Sequence, residues 1–230
     1  RDRREGQVAR RFTGTPGRQQ IPRAHKVCAT RIRRPSRSPQ GWRRGVDALT
    51  SVEVHSAHLP GTRAGPITIW TSPIGVRRIE FGALPRERHT DPPEAWPDNL
   101  RDAVAQLEAY FSKKRTVFDL DLDFWGSATE FQLEVYDRLL ALEYGHVSSY
   151  GQIARDIGKP DQARAVGQAV GANPIPIVVP CHRIIASDGR LTGFSGGLAA
   201  KVSLLKLEGV EVDGSSPNSK VHPEVIPLDL

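Results

Sequence analysis

Three closely spaced prolines constrain the fold of this chain more tightly than any other feature. They stand at positions 174, 176 and 180 in the stretch NPIPIVVPC, which begins at Asn173. Proline has no backbone N–H and disfavours the helical region for the residue before it, so a helix cannot continue through this stretch. We therefore expect an extended, apolar segment that starts at Asn173 and leads into Cys181.

A helical hairpin is predicted immediately before the prolines. Ser149 and Gln152 have the spacing of an N-terminal capping box, and Gly158 is placed to end a short helix. Pro160 suits the first turn of a second helix, which we expect to reach about Ala172. Two short helices joined by a glycine-containing turn are typical of a helix-turn-helix motif. Helical hairpins that do not bind DNA have the same pattern, so the pattern by itself leaves DNA binding open.

Hydrophobic periodicity predicts the remaining elements. A strand hairpin is expected at 67–71 and 76–81, and the alternation in VFDLDLDF predicts a strand whose aspartates face water. Two helices are indicated by apolar residues at helical spacing, which are Leu100, Ala103, Val104, Leu107 and Phe111 in the first and Phe131, Val135, Leu139 and Leu142 in the second. The second is expected to stop at Gly145, and a last amphipathic helix at Gly209.

Composition divides the chain into four expected parts. The net charge of +6 arises in an Arg-, Gly-, Pro- and Ser-rich N-terminal part, whereas the remainder is acidic overall. Such a segment cannot bury enough apolar surface to offset the entropy of ordering, so residues 1–60 are expected to be a disordered basic extension. The other parts are a small α/β domain at 61–124, a mainly helical domain at 125–210 and a disordered tail at 211–230.

Cysteine usage and hydropathy bear on the cellular context. Two cysteines, Cys28 and Cys181, are too few for a disulfide framework, and no apolar run reaches the roughly 18 residues of a membrane span. The sequence therefore predicts a cytoplasmic protein that makes no membrane contact. Convergent Cys and His ligands are lacking in the first domain, so no metal is expected.

Cys181 is the candidate reactive residue. A buried cysteine is most often only a small apolar side chain, but His182 follows it directly, and a thiol becomes a nucleophile when a base takes its proton. Adjacent residues of a regular strand point to opposite faces, so either the backbone turns here or a water relays the proton. His182 also needs an acid to orient its second nitrogen, and Glu208, Asp188 and Asp161 are all near enough in sequence.

Five collinear stretches resemble one known family. They are FQLEVYDRL at 131–139, VSSYGQIA at 147–154, ARAVGQAVGANPIPIVVPCHRII at 163–185, SGGLAAK at 195–201 and the closing LEG. From about residue 65 to 209 the chain resembles the methylated-DNA–protein-cysteine methyltransferases, also called O6-alkylguanine-DNA alkyltransferases, whose hallmark is PCHRI. The resemblance implies an α/β fold in which a small ribonuclease-H-like domain precedes a helical DNA-binding domain that carries the reactive cysteine.

The resemblance also implies catalytic roles. Cys181 would accept the alkyl group, His182 would be the base acting through a bridging water, and Glu208 would orient His182. Tyr150 would help to protonate the departing oxygen.

Two further groups of residues complete the implied site. The DNA-binding residues are Arg164, Ala165, Gly167 and Asn173, and the substrate-pocket residues are Ile184, Phe194, Ser195 and Gly196. Arg164 would fill the gap left by an extruded nucleotide, while the small residues let their helix lie close to the DNA backbone and Asn173 forms a hinge to the active site. The Ser195 amide would face O6 of guanine, and the Ile184 carbonyl would recognise the exocyclic amine.

The implied function is DNA repair in a single turnover. A monomer would bind duplex DNA containing O6-alkylguanine and keep the alkyl group on Cys181 as a thioether, with O4-alkylthymine as a second candidate lesion and without a cofactor. One alternative is a non-catalytic helix-turn-helix protein that recognises alkylated DNA while Cys181 merely packs. The other is a cysteine hydrolase that uses Cys181 and His182.

Overall fold

The computed structural model describes residues 30–32, 53–83, 90–124 and 126–222. Its strands are β1 (Arg31–Ile32), β2 (His55–Leu59), β3 (Ile67–Thr71), β4 (Val76–Phe81), β5 (Asp121–Leu122), β6 (Ser148–Ser149), β7 (Ile184–Ile185), β8 (Glu211–Val212) and β9 (Val221–His222). Its α-helices are α1 (Asp98–Phe111), α2 (Glu130–Leu140), α3 (Tyr150–Asp156), α4 (Ala163–Gly171) and α5 (Gly197–Leu207).

The first unit is a five-stranded sheet with α1 packed against it. The strand order is β1-β5-β4-β3-β2, in which β2, β3 and β4 are antiparallel neighbours and β5 runs parallel to both β4 and β1. Both strands of the predicted hairpin are confirmed. The apolar stripe of α1 buries Leu100, Ala103 and Leu107 completely, which explains why these residues recur at helical spacing.

Two predictions about the start of this unit are wrong. The boundary at residue 60 is too late, because β2 pairs with β3 along its whole length and supplies Ser56 and Ala57 to the interior. The short strand β1 also lies within the segment predicted to be disordered, and its backbone pairs with β5. Most of that predicted extension lies outside the described residues.

The aspartates of VFDLDLDF do not all face water as predicted. The strand is reduced to β5, and Asp123 beyond it is only 1% exposed. Its carboxylate accepts hydrogen bonds from Ser72 Oγ at 2.7 Å and from Arg77 Nη1 at 3.1 Å. A carboxylate can be buried where such partners replace water, and alternation in the sequence does not reveal those partners.

The second unit contains the predicted helix-turn-helix. The Ser149 side chain caps α3 by accepting a hydrogen bond from the Gln152 amide at 3.2 Å, and Gly158 follows the helix with a φ of +73°. A one-turn 3-10 helix that begins at Pro160 leads into α4. The preceding helix, α2, ends at Leu140 rather than at Gly145 as predicted.

The prediction that the proline-rich stretch is extended throughout is wrong. Ile177 has a φ of +77°, and the Val179 amide donates to the Ile175 carbonyl at 3.0 Å, so the chain turns back on itself. The Asn173 side chain stabilises this path by donating to the Val179 carbonyl and accepting from the Ile175 amide, each at 3.0 Å. The turn continues into one turn of 3-10 helix at Cys181–Arg183. An amide side chain can take the place of a neighbouring strand in pairing these backbone groups.

The C-terminal segment is ordered further than predicted. Helix α5 ends before Gly209 as expected, but it buries residues on almost every side and is not amphipathic. The prediction of a disordered tail is wrong for residues 211–222, because β8 and β9 form an antiparallel pair. Val212 and Val221 pack with Ile185, Val202 and Leu205 in a second, smaller apolar core. Residues 223–230 lie outside the described part of the chain.

The two units share one hydrophobic core. At their junction the Ile79 amide of β4 donates to the Pro174 carbonyl at 2.9 Å, and the rings of Phe81 and Phe194 lie 5.3 Å apart. The predicted substrate loop therefore rests against β4. Within the described ranges, no helix has both the length and the apolar character needed to cross a membrane.

Candidate active site

Cys181 lies at the start of the 3-10 turn, directly after the proline-rich stretch, and is 5% exposed. The Asn173 Nδ2 donates a hydrogen bond to its sulfur at 3.0 Å. Burial raises the pKa of the thiol to about 11, although the Asn173 hydrogen bond and the charge of Lys201 oppose the rise. The resting sulfur is therefore a protonated thiol, and it needs a base before it can attack.

His182 has the features of such a base. Its ring is fully buried, and Nε2 lies 2.9 Å from Glu208 Oε1. Because a carboxylate only accepts hydrogen bonds, Nε2 carries the proton and Nδ1 has a free lone pair. Nδ1 is buried and makes no hydrogen bond to the described part of the protein. Burial lowers the pKa of His182 despite the nearby Glu208, so the ring is neutral and can accept a proton.

Glu208 is surrounded by hydrogen-bond donors at the C-terminal end of α5. His182 and Arg183 both contact its carboxylate, and Arg183 donates from Nε at 2.9 Å and from Nη2 at 2.8 Å. Tyr110 and the Gly145 amide donate as well, at 2.7 Å and 3.1 Å. Burial alone would raise the pKa of Glu208, but the His182 and Arg183 contacts hold it well below its usual range. The side chain therefore stays ionised, and the donors around it offset the unfavourable interaction of a negative charge with a helix C-terminus.

The other two acids considered for His182 lie elsewhere. Asp188 is exposed and pairs with Arg190 at 2.7 Å, and Asp161 is exposed in the turn before α4. The 3-10 geometry also answers the question raised by the sequence, because Cys181 and His182 do not lie on a regular strand. The backbone therefore turns at this point, but His182 Nδ1 makes no hydrogen bond to the Cys181 sulfur, so the turn does not replace the water relay.

The residues expected to bind DNA lie on and beside α4. Arg164 is exposed on the solvent side of this helix, whereas Val166, Ala169 and Val170 are buried in the core. Gly167 faces the ring of Tyr150, since a Cβ added there would lie 3.7 Å from Tyr150 Cδ1. Helix α4 therefore packs against Tyr150, the residue predicted to protonate the departing oxygen.

Ala165 lies near the start of α4, and Asn173 lies just after its end. Ala165 is half-buried next to the exposed Arg164, so its methyl group adds little bulk to the outer surface. Asn173 is buried just beyond the end of α4 and contacts both the proline-rich turn and the Cys181 sulfur. The side chain that follows α4 thus touches the reactive atom itself.

Tyr150 and the pocket loop meet at Thr192, which sequence reasoning missed. The Tyr150 hydroxyl donates to Thr192 Oγ1 at 2.8 Å, and burial raises the pKa of Tyr150. Lys201, fully buried on α5, donates to Thr192 Oγ1 at 3.0 Å and to the Thr192 carbonyl at 3.2 Å. Burial lowers the pKa of Lys201 to about 8. Lys201 could have been noticed from the sequence, because it is a charged residue inside the apolar stretch GLAAKVSLL.

The four predicted pocket residues form a partly open wall. Phe194 is half-buried, with its ring 6.3 Å from that of His182, while Ser195 is exposed and Gly196 is half-buried. Ile184 is fully buried, and its carbonyl already accepts hydrogen bonds from Lys201 Nζ and, at 3.3 Å, from Thr192 Oγ1. That carbonyl can bind a purine amine only if one of these donors is released, because a carbonyl oxygen has two lone pairs.

Three other neighbours of Glu208 were also missed. Gly145 was interpreted as a helix stop, Arg183 was assigned no role, and Tyr110 belongs to α1 in the first unit. All three act on one carboxylate from distant parts of the chain. Local spacing carries no signal for such contacts.

A fold that joins a helix-turn-helix to a buried cysteine, histidine and glutamate defines a DNA-binding protein with a nucleophilic thiol. Two family models match the chain. Residues 59–124 match the ribonuclease-like domain of 6-O-methylguanine DNA methyltransferase, and residues 130–210 match its DNA binding domain. The chain belongs to the methylated-DNA–protein-cysteine methyltransferase family.

Individual relatives agree with this assignment. A methylated-DNA–protein-cysteine methyltransferase of Methanosarcina acetivorans is 43% identical over 148 residues, which is 63% of this chain and 92% of that protein. One from Mycobacterium bovis is 46% identical over 149 residues, or 65% of this chain and 86% of that protein. A crystal structure of Mycobacterium tuberculosis OGT in complex with DNA matches with a TM-score of 0.57 and 40% identity, covering 67% of this chain and 93% of that one.

Proposed function

We propose that the chain repairs DNA by transferring a methyl or other small alkyl group from O6-alkylguanine in duplex DNA to Cys181. The new bond joins the alkyl carbon to the sulfur as the bond from that carbon to O6 breaks. The thiol proton passes through a bridging water to His182 Nδ1, and Tyr150 supplies a proton to the departing purine, which leaves as neutral guanine. The proton held by His182 then replaces the one that Tyr150 lost, so the net change moves the thiol proton to the purine. The thioether is stable, so each molecule acts once and needs no cofactor.

One observation carries this proposal. His182 follows Cys181 directly in the chain, and its Nε2 donates a hydrogen bond to Glu208. Its buried Nδ1 has no hydrogen-bond partner among the described residues. A histidine oriented in this way can accept a proton at its other ring nitrogen. The raised pKa of the Cys181 thiol makes such an acceptor necessary.

The proposed route to the thiol requires an extruded nucleotide. Cys181 is only 5% exposed, so its sulfur cannot reach O6 of a base that is stacked in a duplex. We assign Arg164 to the gap that the nucleotide leaves, because its side chain is exposed on α4. Ala165 and Gly167 give this helix a low profile against the DNA backbone, and Asn173 connects its end to Cys181.

The purine would be held by the loop that precedes α5. We assign Phe194 and Gly196 to the wall of the pocket, the Ser195 amide to O6, and the Ile184 carbonyl to the exocyclic amine once Thr192 Oγ1 releases that carbonyl. The contact between Phe194 and Phe81 supports this assignment, since it braces the loop against the first unit. We further propose a ribonuclease-like domain up to residue 124, a DNA-binding domain from residue 125 to residue 210, and a monomer in the cytoplasm, where free thiols persist.

Intact-mass measurement tests the transfer. Incubation with a duplex containing one O6-methylguanine should add the mass of one CH2 group per chain, and peptide mapping should place it on Cys181. Cys181→Ala should gain no mass yet still bind the damaged duplex, because the small substitution leaves α4 unchanged. Binding without any mass gain in the unsubstituted chain would instead favour the non-catalytic DNA-binding protein. Turnover of several substrate molecules per chain would favour the hydrolase.

A further inference from the structure

The first unit reaches the active site through one side chain. Tyr110 lies on α1 and is fully buried, with its ring packed against Phe118 and Tyr144 at centroid distances of 5.3 Å and 6.1 Å. Its hydroxyl donates to Glu208 Oε1 at 2.7 Å. The proton-accepting apparatus of the second unit thus includes a donor from the other domain.

This hydroxyl contacts the same oxygen that faces the histidine. Glu208 Oε1 accepts from Tyr110, from His182 Nε2 and from Arg183 Nη2, while Oε2 accepts from Arg183 Nε and from the Gly145 amide. A carboxylate has about four lone-pair sites, so five donors saturate it. Each donor therefore affects both the orientation of the carboxylate and the charge left for His182.

We propose that Tyr110 is a positioning residue for transfer to Cys181, acting through Glu208 on His182. This inference rests on the function proposed above. The hydroxyl keeps Oε1 in place and withdraws negative charge from the atom that His182 contacts. The first unit then has a chemical role in the reaction as well as a structural one.

The direction of the effect follows from the charges around His182. Glu208, just after α5, and Lys201 on α5 act on its charge, Arg183 acts on it from the same 3-10 turn, and Cys181 precedes it in that turn. Only Glu208 favours the protonated ring, because Arg183 and Lys201 are cations and Cys181 is a neutral thiol. Without the Tyr110 hydroxyl, Oε1 would hold more negative charge and the ring would bind a proton more readily. A protonated ring cannot accept the thiol proton, so activity would be lost at a higher pH than in the unsubstituted chain.

Tyr110→Phe tests this inference, with Tyr144→Phe as the matched control. Tyr144 lies beside Tyr110 but donates to the Leu207 carbonyl and not to Glu208. Single-turnover rate constants are measured against pH with methylated duplex and with free O6-benzylguanine. Tyr110→Phe should slow both reactions about tenfold at neutral pH, the size expected for one hydrogen bond to a charged group. Tyr110→Phe should also move the acidic limb of the pH–rate profile toward higher pH, whereas Tyr144→Phe should leave that limb in place.

A second variant guards against a folding defect in the first. Tyr110→3-fluorotyrosine keeps the shape but makes the hydroxyl a stronger donor, so the acidic limb should move toward lower pH. If both Tyr110 variants keep the acidic limb of the unsubstituted chain while that chain still gains alkyl mass, the inference is overturned and the proposed function stands. If the unsubstituted chain gains no mass, the proposed function itself fails.

Discussion

At the scale of single residues, Cys181 is unreactive until its surroundings change. Burial favours the thiol over the thiolate, although Asn173 Nδ2 and the backbone amides of Cys181 and His182 hydrogen-bond to the sulfur and oppose this effect. Such a cysteine resists adventitious oxidation and alkylation, because the thiolate is the reactive form. Reactivity then depends on a substrate that enters the pocket next to a neutral His182.

Arg164 is predicted to matter for duplex DNA and not for a free base. Arg164→Ala should slow transfer from a methylated duplex by at least about tenfold, since an extruded nucleotide would leave an unfilled gap in the stack. Reaction with free O6-benzylguanine should be unchanged, because no nucleotide has to be extruded. Parallel single-turnover assays give both rates.

The matched control for this substitution is Lys206→Ala. Lys206 is also exposed and positively charged, but it lies on α5. It should lower duplex affinity only through the loss of one charge, with little change in the transfer rate at saturating DNA. Equal losses on duplex and free base for Arg164→Ala would rule out its proposed place in the DNA stack.

At the scale of elements, the loop before α5 depends on its contact with β4. A Cβ added at Gly196 would lie 2.6 Å from Phe81 Cγ, and a phenyl ring anchored in a strand cannot easily move aside. Gly196→Ala should therefore displace Phe194 and cost about 1–3 kcal/mol in the free energy of unfolding, as overpacking does. Thermal unfolding and single-turnover transfer should both show the loss.

Gly193→Ala provides the comparison within the same loop. A Cβ at Gly193 would meet nothing within 4 Å, and this glycine does not have a positive φ. Its stability and transfer rate should match those of the unsubstituted chain. A neutral result for Gly196→Ala as well would mean that the loop is not braced by the first unit.

At the scale of the whole molecule, the buried charges predict how stability depends on pH. The folded-state pKa values of His182 and Glu208 both lie below their ordinary values of 6.5 and 4.5. The unfolded chain therefore binds more protons than the folded chain at acidic pH. The stability that these two groups contribute should be fully present above 6.5, and it should fall as the pH drops through 6.5 and then below 4.5.

Thermal midpoints measured between neutral and acidic pH test this prediction. Glu208→Gln should lower the midpoint at neutral pH, because Arg183 loses its carboxylate partner inside the protein. It should also flatten the part of the decline below 4.5, since that part belongs to the carboxyl group. A midpoint that rose on acidification would contradict the assigned directions of both shifts.

Local features of the sequence were enough to predict most elements. The strands at 67–71 and 76–81, the helix that became α1, the capped start of α3 and the glycine after α5 all follow from periodicity, caps and turn residues. These signals depend on neighbours within about one helical turn or along one strand, so they can be interpreted without the fold. The motif around Cys181 likewise indicated the family before the structure was known.

Contacts between distant segments were decided only by the tertiary structure. The burial of Asp123 depends on Ser72 and Arg77, and the packing of Val212 and Val221 in an apolar cluster with residues of β7 and α5 places the C-terminal strands on the second unit. The shell around Glu208 joins Tyr110 of α1 to a carboxylate 98 positions later in the chain. The free energy of a buried polar group depends on which partners replace water, and those partners are chosen by packing between segments, which no local pattern encodes.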